Sequence, residues 1–254
     1  MTQNLEISKR LLCAISLLVF FDLIQPVSGK NLSIANFNAA KKHARKIHLE
    51  HPFTVYCGCK YSGNKVDLSS CGYRPKKNNT RASRLEWEHI VPAEAFGNAF
   101  VEWRQGAAHC TKRGKKFKGR KCAETNPEFA QMEGDLYNLW PAIGELNGLR
   151  SNYSMAEIGG PPGPFGKCAV RLKDRKFEPM PMAKGIVART YLYMEKEYPG
   201  RGIISRKNEK LFAAWDKLYP VTPWECKRAK SIEKIQKSIN TVLKSRCLNL
   251  DSKR

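Results

Sequence analysis

Cysteine sets the tightest limit on what this chain can fold into. Of the nine cysteines, Cys13 lies in an amino-terminal stretch where Lys9 and Arg10 precede an apolar run from Leu11 to Phe21. The stretch closes on Val27-Ser28-Gly29, whose small residues suit a signal peptidase, so residues 1–29 read as a cleaved secretory signal and residues 30–254 as the mature domain. Removing Cys13 leaves Cys57, Cys59, Cys71, Cys110, Cys122, Cys168, Cys226 and Cys247, an even set. In an oxidising compartment such a set predicts four disulfides rather than free thiols. The sequence leaves their pairing open, although Cys110 and Cys122 bracket a short basic loop and would make a natural local staple. A zinc site on Cys57, Cys59 and Cys71 is the competing reading, but Cys-x-Cys is an unusual zinc spacing and no second pair completes four ligands.

About 225 residues remain after the signal, enough for one domain with a real core. The first apolar run is broken by Asp22, and no later segment approaches the roughly 20 apolar residues of a spanning helix, so no transmembrane anchor is expected. The formal net charge is +22, and the signal does not supply it, because Lys9 and Arg10 are balanced there by Glu6 and Asp22. A field of that size attracts polyanions through phosphate contacts and counterion release. Nucleic acid is the leading partner, ahead of anionic membrane or polysaccharide surfaces. A monomer is expected.

Ile34, Phe37, Ala40, Ala44 and Ile47 recur at helical intervals and predict an amino-terminal helix, with His43, His48 and His51 on its solvated face. Thr54 to Cys59 reads as a short strand, followed by loops through Asn64, Gly72, Pro75, Asn78 and Asn79. Leu85 to Val91 has the residues of a strand that should end near His89, ahead of Pro92. Between Trp103 and Cys122, lysines and arginines interleaved with Gly106, Gly114 and Gly119 predict a flexible cationic loop. Asp135 to Trp140 reads as a second strand ended by Pro141, before a helix over 142–150 on which Asn147 and Arg150 share a face. Gly159 to Pro164 is a turn-rich connection without the context of a phosphate-cradling loop. Beyond it the pattern is mostly helical, ending in a helix that Thr222 caps, with Pro223 first and Glu225 completing a capping box, whose apolar stripe runs on through Ile239 and Val242.

The chemistry concentrates in Glu86-Trp87-Glu88-His89-Ile90-Val91-Pro92. A histidine beside a carboxylate at a strand end sets a proton acceptor next to a hard oxygen ligand, the pair that metal-assisted hydrolysis needs. Alone, a Glu-His dipeptide is more often a surface glutamate beside a structural histidine. What raises it is the order that follows: a second strand with Asn138, then a helix with Asn147.

That order resembles the ββα-metal finger of the HNH and related nonspecific nucleases. Trp87-Glu88-His89-Ile90-Val91-Pro92-Ala93, Gly134-Asp135-Leu136 with Asn138-Leu139, Pro141, Gly144 to Gly148, and Arg150-Ser151-Asn152 together look like the endonuclease I family of bacterial periplasmic or secreted nucleases. Ala188 to Tyr191, Tyr219 to Thr222 and the eight cysteines extend the resemblance over most of the mature chain. It implies an α+β fold, a mixed helical domain around a ββα-metal finger stapled by disulfides. It implies His89 as general base, Glu88 and Asn147 as ligands of Mg²⁺ (with Mn²⁺ or Ca²⁺ as alternatives), Asn138 as a brace of the hairpin, and Arg120 as the arginine that clamps phosphate. Lys118 and Arg113 are alternatives to Arg120, and Glu86 is the rival to Glu88, since alternate strand residues share a face. The activity implied is metal-dependent endonucleolytic hydrolysis of DNA, RNA being left open, without strict sequence preference and with 5′-phosphate ends, in the periplasm or outside the cell. A nucleic-acid-binding protein with an inactive centre is the alternative; the intact trio of Glu88, His89 and Asn147 favours the enzyme.

Overall fold

Asn36 starts the first helix, α1 (Phe37–Ile47), by accepting from Ala39 N at 3.0 Å, and Ala40, Ala44 and Ile47 form its buried face. The structure is a computed structural model describing residues 29–76 and 80–251; the rest of the expected signal, residues 1–28, and Asn78 and Asn79 of the expected loop lie outside the described residues. A small hairpin follows, β1 (Tyr61–Ser62) with β2 (Lys65–Val66), and then β3 (Leu85–His89). Residues 54–59 form turns flanked by an isolated bridge between Phe53 and Lys60, not the strand expected there. Gly58 sits at φ 66°, and Thr54 closes the turn by accepting from Cys59 N.

Short helices α2 (Ala93–Gly97) and α3 (Val101–Arg104) lead to the basic segment. The expected flexible loop is a second hairpin, β4 (Thr111–Lys112) with β5 (Lys115–Lys116), turning through Arg113 and Gly114 at positive φ and followed by α4 (Arg120–Ala123). The disulfide Cys110–Cys122 ties its base, as the sequence suggested. Asn126 then caps α5 (Pro127–Glu133), with proline in the first turn.

After a 3₁₀ turn at Leu136–Asn138 comes β6 (Leu139–Ile143), antiparallel to β3, and directly after it α6 (Gly144–Arg150). Pro141 does not end this strand; it sits in its middle, opposite Trp87. Gly144 N donates to Arg84 O and Ile90 N to Asn138 O, so the bonded pairs fall at the even positions of β3 and Pro141 turns its missing N–H away from the ladder. Its carbonyl, on that outer side, accepts from Val55 N at 2.8 Å.

The pattern gave no sign of the mixed sheet that follows, in which β9 (Lys176–Glu178) lies between β7 (Ser154–Met155) and β8 (Arg171–Lys173). Helices α7 (Pro181–Glu197) and α8 (Arg206–Leu218) pack on each other. The single final helix expected is two, α9 (Pro223–Gln236) and α10 (Thr241–Asp251), because Lys237 adopts the left-handed conformation that closes α9. Thr222 does cap α9 by accepting from Glu225 N, but the capping box is half made: the Glu225 carboxylate instead receives Arg189 Nε and Nη2.

The other disulfides join Cys57 to Cys168, Cys59 to Cys71 and Cys226 to Cys247. Cys57, Cys59 and Cys71 are therefore spent on two disulfides, which overturns the zinc reading. His48 also departs from expectation. It is buried at 1 % exposure, edge-on to Trp87, Trp140 and Trp224, with Arg228 Nε donating to its Nε2 at 3.1 Å. The helical period carries a residue beyond Ile47 inward as α1 tightens into a 3₁₀ turn at His48–Glu50.

Candidate active site

Alternation along β3 puts Glu86 and Glu88 on one face, and α6 crosses that face because it leaves β6 without a connecting loop. Gly144 allows the close crossing, since a Cβ there would fall 2.6 Å from Arg81 O and 2.9 Å from Arg84 O. One turn apart on α6, Asn147 and Arg150 each meet a glutamate of the strand. Asn147 Nδ2 donates to Glu86 Oε2 and Arg150 Nη1 to Glu88 Oε1, both at 2.9 Å. Glu86, Glu88, His89, Arg120 and Asn147 thus line one cleft of about 720 Å³.

Arg150 also donates from Nη1 to His89 O at 2.9 Å and from Nη2 to Ile90 O at 2.6 Å, so one buried guanidinium pins the end of the strand. Glu88 Oε1 receives Tyr56 Oη as well, at 2.9 Å. Burial pushes the Glu88 carboxyl above its usual range, with Arg150 and the Tyr56 hydroxyl pulling the other way. Its Oε2 has no hydrogen bond among the described residues. Glu86 differs: burial opposes its charge, but Arg81 and Arg84 outweigh that by hydrogen bonds and hold it below the ordinary carboxylate range. The two glutamates, indistinguishable by spacing, therefore have different partners.

His89 is buried against Phe37, ring centroids 4.7 Å apart, with Nε2 2.8 Å from Glu133 O. A carbonyl only accepts, so Nε2 carries the proton and Nδ1 keeps a free lone pair. Burial, followed by the positive charge of Arg120, lowers its pKa to about 3. The imidazole is neutral at any ordinary pH, the state a proton acceptor requires.

Arg120 stands at the head of α4, where its Nε donates to the buried Glu133 carboxylate and its guanidinium lies 5.3 Å from the Phe37 ring. Lys118 and Arg113, the alternatives considered for its role, are absent from the cleft wall. Asn138 lies outside the cleft and is fully buried, accepting from Val91 N at 2.7 Å and donating to Val91 O at 3.0 Å. Both bonds tie the chain just beyond His89 to the segment entering β6. Asp135, part of the same motif, is likewise internal, accepting from Tyr193, Tyr198 and Gln236.

Sequence reasoning passed over Tyr56, Lys41, Arg45, Arg81 and Arg84. The last four line the cleft with Arg120 and give it a strongly cationic wall. Lys41 and Arg45 could have been found, being four apart on the first helix; Tyr56 could not, because it comes from a turn tied down by the distant Cys57–Cys168 disulfide. Among the described residues no group of three or more His, Cys, Asp or Glu is arranged to hold a metal, so any ion here would rest on fewer such ligands. The oxygens on offer are Glu88 Oε2 and Asn147 Oδ1, neither of which has a hydrogen bond among the described residues. Both are hard donors of the kind Mg²⁺ takes.

A neutral imidazole with one free ring nitrogen in a cationic cleft suits a class, the hydrolases of anionic substrates. Comparison narrows it. The endonuclease I family model matches residues 28–246. An extracellular deoxyribonuclease of Aeromonas hydrophila is 43 % identical over 223 residues, covering 85 % of this chain and 92 % of that one. A periplasmic deoxyribonuclease of the same organism is 42 % identical over 218 residues, 83 % and 86 % of the two chains. Endonuclease-1 of Buchnera aphidicola subsp. Acyrthosiphon pisum (strain APS) is 38 % identical over 245 residues, 94 % and 92 %. The chain belongs to the endonuclease I family and is a nuclease.

Proposed function

We propose that the protein is an exported endonuclease that hydrolyses DNA with a divalent ion, RNA being left open as a substrate, acting in the periplasm or outside the cell. The family and the deoxyribonuclease relatives support the nuclease reading, and four disulfides fit a compartment outside the cytoplasm. The observation that carries the chemistry is the neutral His89, its Nε2 engaged by Glu133 O and its Nδ1 free, on the cleft wall beside Glu88 and Asn147.

In this reading β3, β6 and α6 form a ββα-metal finger. His89 Nδ1 takes a proton from the attacking water, and the Glu133 carbonyl holds the tautomer that lets it do so. Arg120, anchored by Glu133, grips a non-bridging phosphate oxygen, and Lys41, Arg45 and Arg84 draw the backbone into the cleft. Glu88 Oε2 and Asn147 Oδ1 would hold Mg²⁺, which when bound stabilises charge on the phosphoryl oxygens and on the leaving oxygen. Cleavage on the 3′-oxygen side leaves 5′-phosphate and 3′-hydroxyl ends. Contacts of this kind address the backbone and not the bases, so little sequence preference is expected.

The test is supercoiled plasmid incubated with the oxidised protein, with Mg²⁺ and with excess chelator, beside His89→Ala. Nicking by the wild type with metal, absent in chelator and reduced at least about 100-fold in the variant without loss of DNA binding, is the expected result. Cleavage that persists in chelator removes the metal from the reading, and binding without cleavage under all conditions points to an inactive scaffold.

A further inference from the structure

A second groove adjoins the catalytic cleft. It has a volume of about 560 Å³, and Asn152 lines both. Asn152 Nδ2 donates to Glu94 on the cleft wall, and Arg175 Nη2 donates to Asn152 Oδ1 at 3.5 Å, so the three side chains form a continuous rim between the hollows.

The far side of that rim is cationic. Arg175 and Lys176 come from the β8–β9 hairpin, which turns through Asp174 at φ 49° and Arg175 at φ 56°. A two-residue turn of that kind is tight and sets where its tip lies. The Arg175 guanidinium also lies 6.0 Å from the Tyr153 ring. Lys207 enters from the first turn of α8. None of these three cations forms an ion pair with a described residue. Of the two acids in the groove, Glu157 is already claimed by Lys184 at 2.7 Å and by Trp215 Nε1, which leaves Asp174 alone against three positive charges. Lys173, Arg206 and Lys210 stand exposed on the segments that supply the groove.

We propose that this groove holds backbone phosphates of the same nucleic acid at a distance from the bond being cut, making Arg175, Lys176 and Lys207 a second anchoring site that extends the footprint beyond the catalytic cleft. The proposal rests on the nuclease reading for the identity of its ligand. A chain leaving the cleft past Asn152 meets Arg175 first, and its repeating charge suits a row of separate cations. Nothing in the groove reads bases, so the site adds affinity and reach without adding sequence preference.

The test uses the full oxidised protein carrying Arg175→Gln, Lys176→Gln and Lys207→Gln, exposed residues whose neutral replacements leave the core untouched. Binding is measured in chelator, where no cleavage intervenes, to a duplex of about 30 base pairs and to a single strand of about 4 nucleotides, each across a range of salt. The expected result is duplex binding weaker by about tenfold or more, with a salt slope shallower by about 1 to 3 and short-strand binding unchanged. With Mg²⁺ the same variant should show a raised KM on the duplex at unaltered kcat. Equal weakening on both ligands, or none on the duplex, overturns the second site. A wild type that binds DNA but never cuts it would sink the catalytic reading and leave the binding comparison intact.

Discussion

Glu86 turns Asn147: the asparagine amide nitrogen donates to Glu86 Oε2 at 2.9 Å, which directs the amide oxygen elsewhere. Glu86 is in turn held by Arg81 through Nε and Nη2, each at 2.9 Å. The rival carboxylate of the strand is thereby a positioning group for Asn147.

Glu86→Ala should therefore raise the Mg²⁺ concentration for half-maximal activity by about 10- to 100-fold, the usual effect of losing an outer-shell partner. Glu86→Gln keeps an acceptor for the amide and should retain more of the affinity. Mn²⁺ binding followed directly on both variants checks the order. Equal and unchanged affinity in the two would show that Asn147 orients itself.

Removing the Arg120 guanidinium should affect two properties at once. Arg120→Ala is expected to lower kcat/KM by about 100-fold by taking a donor from the phosphate. It also strands the buried Glu133 carboxylate, a loss of about 1–3 kcal/mol in stability. Adding Glu133→Gln should recover the melting temperature and not the activity, and a double variant that regains both would contradict the phosphate role.

Asn138→Ala deletes the two bonds to Val91 inside the core, and about 2 kcal/mol of stability should go with them. Denaturant midpoints measure that loss. The folded fraction should keep most of its turnover, since Asn138 lies outside the cleft; a variant as stable as wild type but inactive would make Asn138 part of the chemistry.

Acid should weaken the fold through His48. Burial first, then Arg228, holds its pKa well below the usual value, so the unfolded chain takes up a proton that the folded one refuses. The stability due to the neutral ring is present above the unfolded pKa of about 6.5 and is lost as pH falls below it. Melting temperatures from about pH 8 to about pH 5 should fall in the wild type and fall less steeply in His48→Gln. His89 titrates in the same sense, so the slope flattens without vanishing. Parallel slopes would rule His48 out.

What the chain disclosed in advance follows from how local each signal is. The end of β3 at His89, the face shared by Asn147 and Arg150, and the Thr222 cap depend on neighbours within a turn, and all three stand in the structure. The Cys110–Cys122 staple spans a short loop and was equally readable. Pro141 misled because a proline in a strand is harmless when its nitrogen faces away from the ladder, and that depends on register with β3, 54 positions earlier at Trp87. His48 misled because its surroundings come from three tryptophans on three separate segments. Spacing alone could set Glu86 beside Glu88 but could not tell which of them Asn147 and which Arg150 would take.

Because Asn147, Gly148 and Arg150 of α6 line the cleft, no piece of the chain that stops short of Arg150 can contain the site. Glu88 and His89 emerge early, yet the carbonyl that fixes the histidine proton comes from Glu133, and the bond that secures the Tyr56 turn waits for Cys168. The stretch from Glu86 to Arg150 must therefore fold as one unit before these side chains meet.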